Sequence, residues 1–244
     1  MSNLPLSGKT VLVTGAAKRI GRALSLACAR AGANIFIHYG TSQAEAQQLH
    51  EEIVQLGPRA WLLQADLSHT DELPRLIERA ASINPLDALI NNASIFENLS
   101  LAETTLEDWE RHLAVNLTAP FLLSRAFAKQ LPAGRQGRIV DLLDWRALRP
   151  GADHFPYTVS KSALAAMTQS LAVALAPNIT VIGLALGAVL PPTDGAVNSK
   201  ILENVPAGRW GELEDVEKAL LFLLTGPAYI TGEIIRVDGG RHLV

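Results

Sequence analysis

The sequence predicts an α/β fold in a single domain: a doubly wound, seven-stranded parallel sheet with helices on both faces. Three observations carry this expectation. Seven short β-branched or apolar runs alternate with longer stretches of helical period, the pattern of repeated βαβ units. The fifth run, Arg138 to Leu143, is nearly all apolar, as a strand covered on both faces must be. The first run leads directly into a glycine turn and then a helix, the context in which such folds hold phosphate.

Taken in order, Thr10 to Thr14 reads as the first strand, and the helix after it, from about Arg19 to Ala31, stops at Gly32. Asn34 to Tyr39 is the second strand. Ser42 can cap a second helix that runs to Leu56, ahead of Gly57-Pro58. Ala60 to Gln64 is the third strand, Asp71 opens a short third helix, and Leu86 to Ile90 is the fourth strand. A long helix from about Leu106 to Leu131 leads to the fifth strand. After a segment broken by Pro150, Gly151 and Pro156, the stretch Tyr157 to Leu175 is strongly helical, and Ile179 to Ala185 is the sixth strand. From Gly187 to Gly211 proline and glycine are frequent and no period holds, so a mobile substrate loop, a candidate lid, is expected there. Leu213 to Leu224 is a last helix and Glu233 to Val237 a last strand. With no linker or repeat, residues 1–244 are expected to form one domain.

Composition narrows the function. With 48% apolar residues and a net charge of −3, the chain is neither disordered nor a basic nucleic-acid binder. One cysteine, Cys28, excludes an internal disulfide, and the six histidines show no metal-ligand spacing, so no metal is expected. The first residues carry no basic segment followed by an apolar run, and no stretch of about 18 apolar residues exists, so the expectation is a cytoplasmic protein with no membrane partner.

The turn reads Thr14-Gly15-Ala16-Ala17-Lys18-Arg19-Ile20-Gly21. Gly15 can make the sharp bend and Gly21 lets the helix approach the strand, leaving the helix N-terminus to a pyrophosphate. The usual middle glycine is Arg19, and a basic helix start in an ordinary βα turn is the plainer reading. The end of the second strand adds weight: Asn34 to Gln43 has no carboxylate to hold a ribose 2′-hydroxyl, which favours NADP over NAD. Lys18, Arg19, Thr41 and Ser42 could supply the charge and hydrogen bonds of a 2′-phosphate site.

Tyr157 and Lys161 stand one helical turn apart on one face. Alone, this pair is more often a solvated face. Paired, a lysine cation would favour the phenolate and let Tyr157 exchange a proton near neutral pH. Together with the glycine turn, Asp66 after strand three, Asn91-Asn92-Ala93 after strand four, Asn116 in the long helix and the closing Val237-Asp238-Gly239-Gly240, the chain resembles the short-chain dehydrogenase/reductase family over nearly its whole length. The resemblance implies a Rossmann-type fold. It also implies that Asp66 contacts the adenine, that Asn92 and Ala93 line the ribose and nicotinamide, that Lys161 binds the nicotinamide ribose, and that Asn116 holds a proton-relay water. The full set of expected cofactor contacts is Gly15, Lys18, Arg19, Ile20, Gly21, His38, Tyr39, Thr41, Ser42, Asp66, Leu67, Asn92, Ala93, Ser94, Tyr157, Lys161 and Gly187.

Departures narrow the resemblance. Where most members place a catalytic serine after strand five, this chain has Asp144. That substitution, the turn TGAAKRIG and the sequence NNASIF resemble the pteridine reductase branch, and Gly239-Gly240-Arg241-His242-Leu243 resembles its bacterial dihydromonapterin reductases. In that branch the roles of cofactor and substrate contact fall on Arg19 and Ser94, and an aromatic at Phe96 stacks on the pterin. A flat heterocycle does favour a slot between a nicotinamide and an aromatic face, and the alternative for Phe96 is a core or loop residue. Asp144, at the end of a buried strand, needs a use. Beside Tyr157 it could be held protonated as a donor, or it could cap a helix or pair with Arg146. The expected function is NADPH-dependent reduction of a pterin, with Asp144, Tyr157, Lys161 and Asn116 as the catalytic set and Arg19, Ser94, Phe96, Asp144 and Tyr157 meeting substrate. A carbonyl reductase of the same fold, or a dinucleotide-binding sensor that has lost its chemistry, are the alternatives; Leu186 and Ile182, where the family has Pro and Asn, leave the second open. The resemblance further implies a homotetramer built on the two long helices and the last strand.

Overall fold

The structure, a computed structural model, describes residues 4–190 and 205–244; the middle of the expected substrate loop, 191–204, lies outside the described residues. Seven strands form one sheet: β1 (Thr10–Val13), β2 (Asn34–Tyr39), β3 (Ala60–Gln64), β4 (Ala88–Asn91), β5 (Gly137–Asp144), β6 (Ile179–Leu186) and β7 (Ile234–Val237). Their spatial order is β3-β2-β1-β4-β5-β6-β7, and every neighbouring pair is parallel.

Side-chain alternation explains the layers. Val11, Val13, Ile35, Ile37, Val140 and Leu142 point to one face, where α1 (Arg19–Arg30), α2 (Gln43–Gln55) and the last helix, α7 (Leu213–Thr225), cover them. Leu12, Phe36, Leu89, Ile139 and Val181 point to the other, under α3 (Leu73–Ile83), α5 (Ala119–Gln130) and α6 (Phe155–Leu175). Each such side chain contributes about 1.5–3 kcal/mol by burial, which is why the apolar runs are strands with no polar face. Ile182, a departure at the sequence level, is simply part of this core at 2% exposure.

Three local expectations change. Ser42 occupies the N-cap of α2 but makes no side-chain cap bond. Asp71 lies in a tight turn, Thr70–Glu72, and the third helix follows with Pro74 in its first turn. The long helix is two: α4 (Leu106–Leu113), capped by the reciprocal Thr105–Asp108 bonds, and α5, joined by a π-type turn at Ala114–Thr118.

The chain winds outward from β1 toward β3 and, after crossing back, from β4 toward β7. Between β1 and β4 the connections diverge, opening a crevice at the carboxyl ends of the strands. Gly15, Asn92, Asp144 and Gly187 all stand at those ends.

Candidate active site

At the end of β1 the glycine turn leaves no spare room. Gly15 adopts φ +59°, and a Cβ on Gly21 would lie 2.2 Å from the Gly15 carbonyl oxygen and 2.6 Å from the Asn92 amide nitrogen. Arg19 has φ +52°, so the backbone keeps the left-handed geometry of the absent middle glycine. Holding a residue with a Cβ there costs about 1 kcal/mol. The turn is braced on two sides. Asn92 Nδ2 donates to the carbonyls of Thr14 (2.8 Å) and Gly15 (3.1 Å), while Thr14 Oγ1 accepts from the Asn92 and Ala93 amides at 2.9 and 3.0 Å. His38 Nδ1 accepts from the Gly15 amide at 3.1 Å, so its proton sits on Nε2, facing the Ala65 carbonyl at 3.2 Å. Burial pulls His38 down to about 4, keeping it neutral. The His38 ring is therefore spent on positioning the turn, and Tyr39 is buried beside it.

A pyrophosphate fits such a cradle: the first amides of α1 lack helical partners. At its far edge Lys18 pairs with Glu45 at 2.8 Å, and both are exposed. Glu45 lies just past the carboxylate-free window, and its surface pair is weak in water. Thr41 and Ser42 stand at the start of α2, and Asp66 follows β3, where its Oδ1 accepts from the Ser68 amide and hydroxyl at 2.9 and 2.8 Å. Leu67 is buried beneath it. A Cβ on Gly187 would meet the Asp238 Cα at 2.6 Å, so the backbone after β6 packs on the turn after β7.

Tyr157 and Lys161, on the first turns of α6, are 7% and 3% exposed, which disposes of the solvated-face reading. Lys161 Nζ donates to the Leu142 carbonyl at 2.7 Å and lies 5.9 Å from the centre of the Tyr157 ring. Burial lowers its ammonium to about 8, against the pull of Asp144 and Asp141. The Tyr157 hydroxyl donates to Asp144 Oδ2 at 3.3 Å. Burial, then the charge of Asp144 and the bond to it, push the phenol well above its usual range, with Arg146 opposing. This corrects the expectation of a lysine-favoured phenolate: desolvation and a neighbouring carboxylate outweigh a cation whose proton is directed elsewhere.

Asp144 does several things at once. Its Oδ1 accepts from the Arg146 amide at 2.8 Å, capping the short turn Trp145–Ala147, and Arg146 Nη1 lies 3.6 Å away. The cap and ion-pair readings thus hold alongside the bond to Tyr157.

Asn116, at the π-type turn, uses its whole amide. Oδ1 accepts from Ser94 Oγ (3.0 Å) and the Ile95 amide (2.9 Å), and Nδ2 donates to the Ile95 carbonyl and Ser160 Oγ, both at 3.0 Å. No side-chain position remains for the expected relay water, because two donors and two lone pairs are all an amide has. Asn116 and Ser94 instead tie the loop after β4 to α6.

Phe96 is 54% exposed, not a core residue. Its ring stacks on His154 (centroids 4.0 Å apart, planes at 18°) and meets Tyr157 edge-on at 4.7 Å. His154 has φ +49°, and its Nδ1 is 2.9 Å from the Glu97 carbonyl. Sequence reasoning missed His154, along with Asp141, whose buried carboxylate accepts from Asn91 and Thr168, both at 2.8 Å, and which burial pushes up. An acid in the interior of a largely apolar strand is the signal that could have found Asp141; no local signal marks His154.

Comparison with known proteins agrees with this geometry. Residues 9–202 match the family model of short chain dehydrogenases. The chain is 32% identical over 240 residues to a 3-oxoacyl-[acyl-carrier-protein] reductase of Synechocystis sp., covering 96% of this chain and 97% of the relative. To 2-dehydro-3-deoxy-D-gluconate 5-dehydrogenase of Escherichia coli it is 32% identical, covering 98% of each. Among solved structures, FolM alternative dihydrofolate reductase 1 from Brucella canis, complexed with NADP, superposes with a TM-score of 0.91 at 34% identity, covering 98% of this chain and 96% of that one. A short chain dehydrogenase from Burkholderia cenocepacia, also in complex with NADP, gives 0.91 at 36% identity over 97% and 99% of the two chains. With the fold, the glycine turn and the Tyr157–Lys161 pair in place, the chain belongs to the short chain dehydrogenase family.

Proposed function

We propose that this chain is an NADPH-dependent reductase of a pterin, taking a dihydropterin to the tetrahydro form, with pterin and dihydrofolate as further substrates. The observation that carries the reading is a carboxylate, where the family's serine hydroxyl is usual, bonded to Tyr157 beneath an exposed aromatic ring. The NADP-bound dihydrofolate reductase neighbour supports it.

NADPH supplies a hydride when bound. The cradle of Gly15, Arg19, Ile20 and Gly21 would hold its pyrophosphate, Lys18, Arg19, Thr41 and Ser42 its 2′-phosphate, Asp66 and Leu67 its adenine, and Asn92, Ala93, Ser94, Lys161 and Gly187 its nicotinamide half. Phe96, backed by His154, offers a flat face to a heterocycle, and Arg19 and Ser94 would line its edge. Tyr157, kept protonated by burial and by Asp144, gives its proton to a ring nitrogen. Asp144 orients the phenol and, being partly exposed, passes a replacement proton inward; Arg146 offsets the transient phenolate. Asn116 acts by holding the loop that carries Ser94 and Phe96.

The sequence relatives support a second reading, reduction of a 3-oxoacyl thioester. Asp144 opposes it, because a ketone oxygen calls for a hydroxyl donor and a carboxylate repels developing alkoxide charge. The intact Asn116, Tyr157 and Lys161 set opposes a sensor without turnover. NADPH consumption with dihydrobiopterin, dihydromonapterin, dihydrofolate and an acetoacetyl thioester separates the readings: turnover of the thioester alone would overturn the pterin assignment.

A homotetramer in the cytoplasm completes the proposal. Among the described residues no helix is long and apolar enough to cross a membrane. Leu106, Phe121 and Val173 leave large apolar side chains exposed on α4, α5 and α6, the helices expected to pack between subunits. Sedimentation as a monomer would remove the oligomer from the proposal.

A further inference from the structure

Next to Asp144, the Trp145 indole has two guanidinium groups against it, one from its chain neighbour Arg146, with the central carbon 5.0 Å from the ring centroid, and one from the far end of the chain, Arg241 at 4.2 Å. The two cations are not equivalent. Arg146 is bonded to Asp153 at 2.7 Å and sits beside Asp144. The Arg241 guanidinium, half-buried, donates to no acceptor among the described residues, while the Arg241 amide donates to the Asp238 carbonyl at 3.1 Å. Every other half-buried arginine described there, Arg22, Arg111, Arg135, Arg138 and Arg146, donates to a carboxylate or a backbone carbonyl.

The acids around Arg241 are committed elsewhere. Asp144 serves the Arg146 amide and Tyr157, Asp153 serves Arg146, and Asp238 accepts from the Gly240 amide (2.9 Å), the His242 amide (3.1 Å) and His242 Nδ1 (2.7 Å). That last set also locks the turn that carries Arg241, with Gly239 and Gly240 at φ +63° and +83°. Burial and the charge of Arg146 both depress Arg241, as an uncompensated cation requires. Stacking on indole orients a guanidinium but leaves its N–H fork unused. A fixed, half-desolvated fork beside the proton-delivery pair matches a carboxylate or a phosphate.

We propose that Arg241, presented on Trp145, is the binding residue for an anionic substituent, carboxylate or phosphate ester, carried by the substrate. This rests on the pterin reading for the identity of the ring that bears the substituent. The test uses protein saturated with NADP, so that the cofactor's own phosphates fill their site. Calorimetric titration with p-aminobenzoyl-glutamate and with a dihydropterin phosphate ester, on wild type, Arg241→Gln and Arg241→Lys, distinguishes carboxylate from phosphate. At least one anion should bind wild type, about tenfold or more weaker in Arg241→Gln, with Arg241→Lys intermediate. In turnover, Arg241→Gln should raise KM for dihydrofolate about tenfold more than KM for neutral dihydrobiopterin. No binding of either anion to wild type, equal binding to Arg241→Gln, or a variant altered only in oligomer size would overturn the proposal. If wild type reduces no pterin, the pterin reading falls while the titration still decides the anion site.

Discussion

Asn116, Ser160 and Lys161 are almost wholly buried, and the Asn116 amide has a protein partner for each of its four hydrogen-bonding positions. Across the same site, Phe96 is 54% exposed, and Trp145, Arg146 and Arg241 are only partly buried. The difference separates two tasks. The floor must fix a cofactor and a proton donor to within a fraction of an ångström, so it is made of bonds closed off from water, where each is hard to replace. The wall must admit and release a molecule, so its groups are stacked and held from behind while their outer faces stay open.

If the floor carries the chemistry, the largest loss comes from Tyr157. Tyr157→Phe should cut kcat by about a hundredfold or more while NADPH binding, followed by nicotinamide fluorescence, stays within a few-fold of wild type. Gly21→Ala tests the cradle next: its methyl would press on the Gly15 carbonyl, destabilising the protein by about 1–3 kcal/mol and weakening NADPH, both readable from denaturant melts with and without cofactor. The floor also has a pH signature. Lys161 is ammonium below about 8 and neutral above it, and the ammonium has three donors and a charge for the Leu142 carbonyl and a ribose diol where the amine has two donors and none, so kcat/KM should fall as pH rises through that value. Lys161→Arg, which stays charged, should lose that limb of the profile.

The wall should give smaller, differently distributed effects. His154→Ala removes the stack behind Phe96 while keeping the demand for positive φ, so KM for a pterin should rise several-fold with kcat nearly unchanged, and stability should fall by about 1 kcal/mol. His154→Gly relaxes the backbone and should recover part of the stability but not the KM. At the outermost edge, Glu45→Gln frees Lys18, and the preference for NADPH over NADH should sharpen by about two- to threefold. A collapse of kcat in His154→Ala would erase the distinction between floor and wall.

The same division governs what could be read in the sequence. The strands were legible because burial on both faces leaves no room for polar residues, and the floor was legible because close packing fixes residue types at short spacing: Gly15 with Gly21, Tyr157 with Lys161. The long helix was legible in extent but not in its π-type turn, since the pull on Asn116 comes from Ile95 and Ser160 rather than from its neighbours in sequence. The wall was half legible. Phe96 and Asp144 stood out against a family pattern, but His154 meets Phe96, and Arg241 meets Trp145, from segments far apart in the chain, and only the fold brings each pair together. The direction of the Tyr157 shift differs from the sequence expectation for a related reason: burial, its largest cause, and the direction of the Asp144 bond are properties of the packed site, while helical spacing shows the lysine one turn away.

The carboxylate at the end of β5 is the point on which the pterin reading turns, and Asp144→Ser addresses it directly. Steady-state NADPH oxidation by this variant should lose about a hundredfold or more in kcat/KM for a dihydropterin while retaining or gaining turnover of an acetoacetyl thioester. Undiminished dihydropterin reduction by Asp144→Ser would contradict the assignment of Asp144 to the proton path and, with it, the pterin reading.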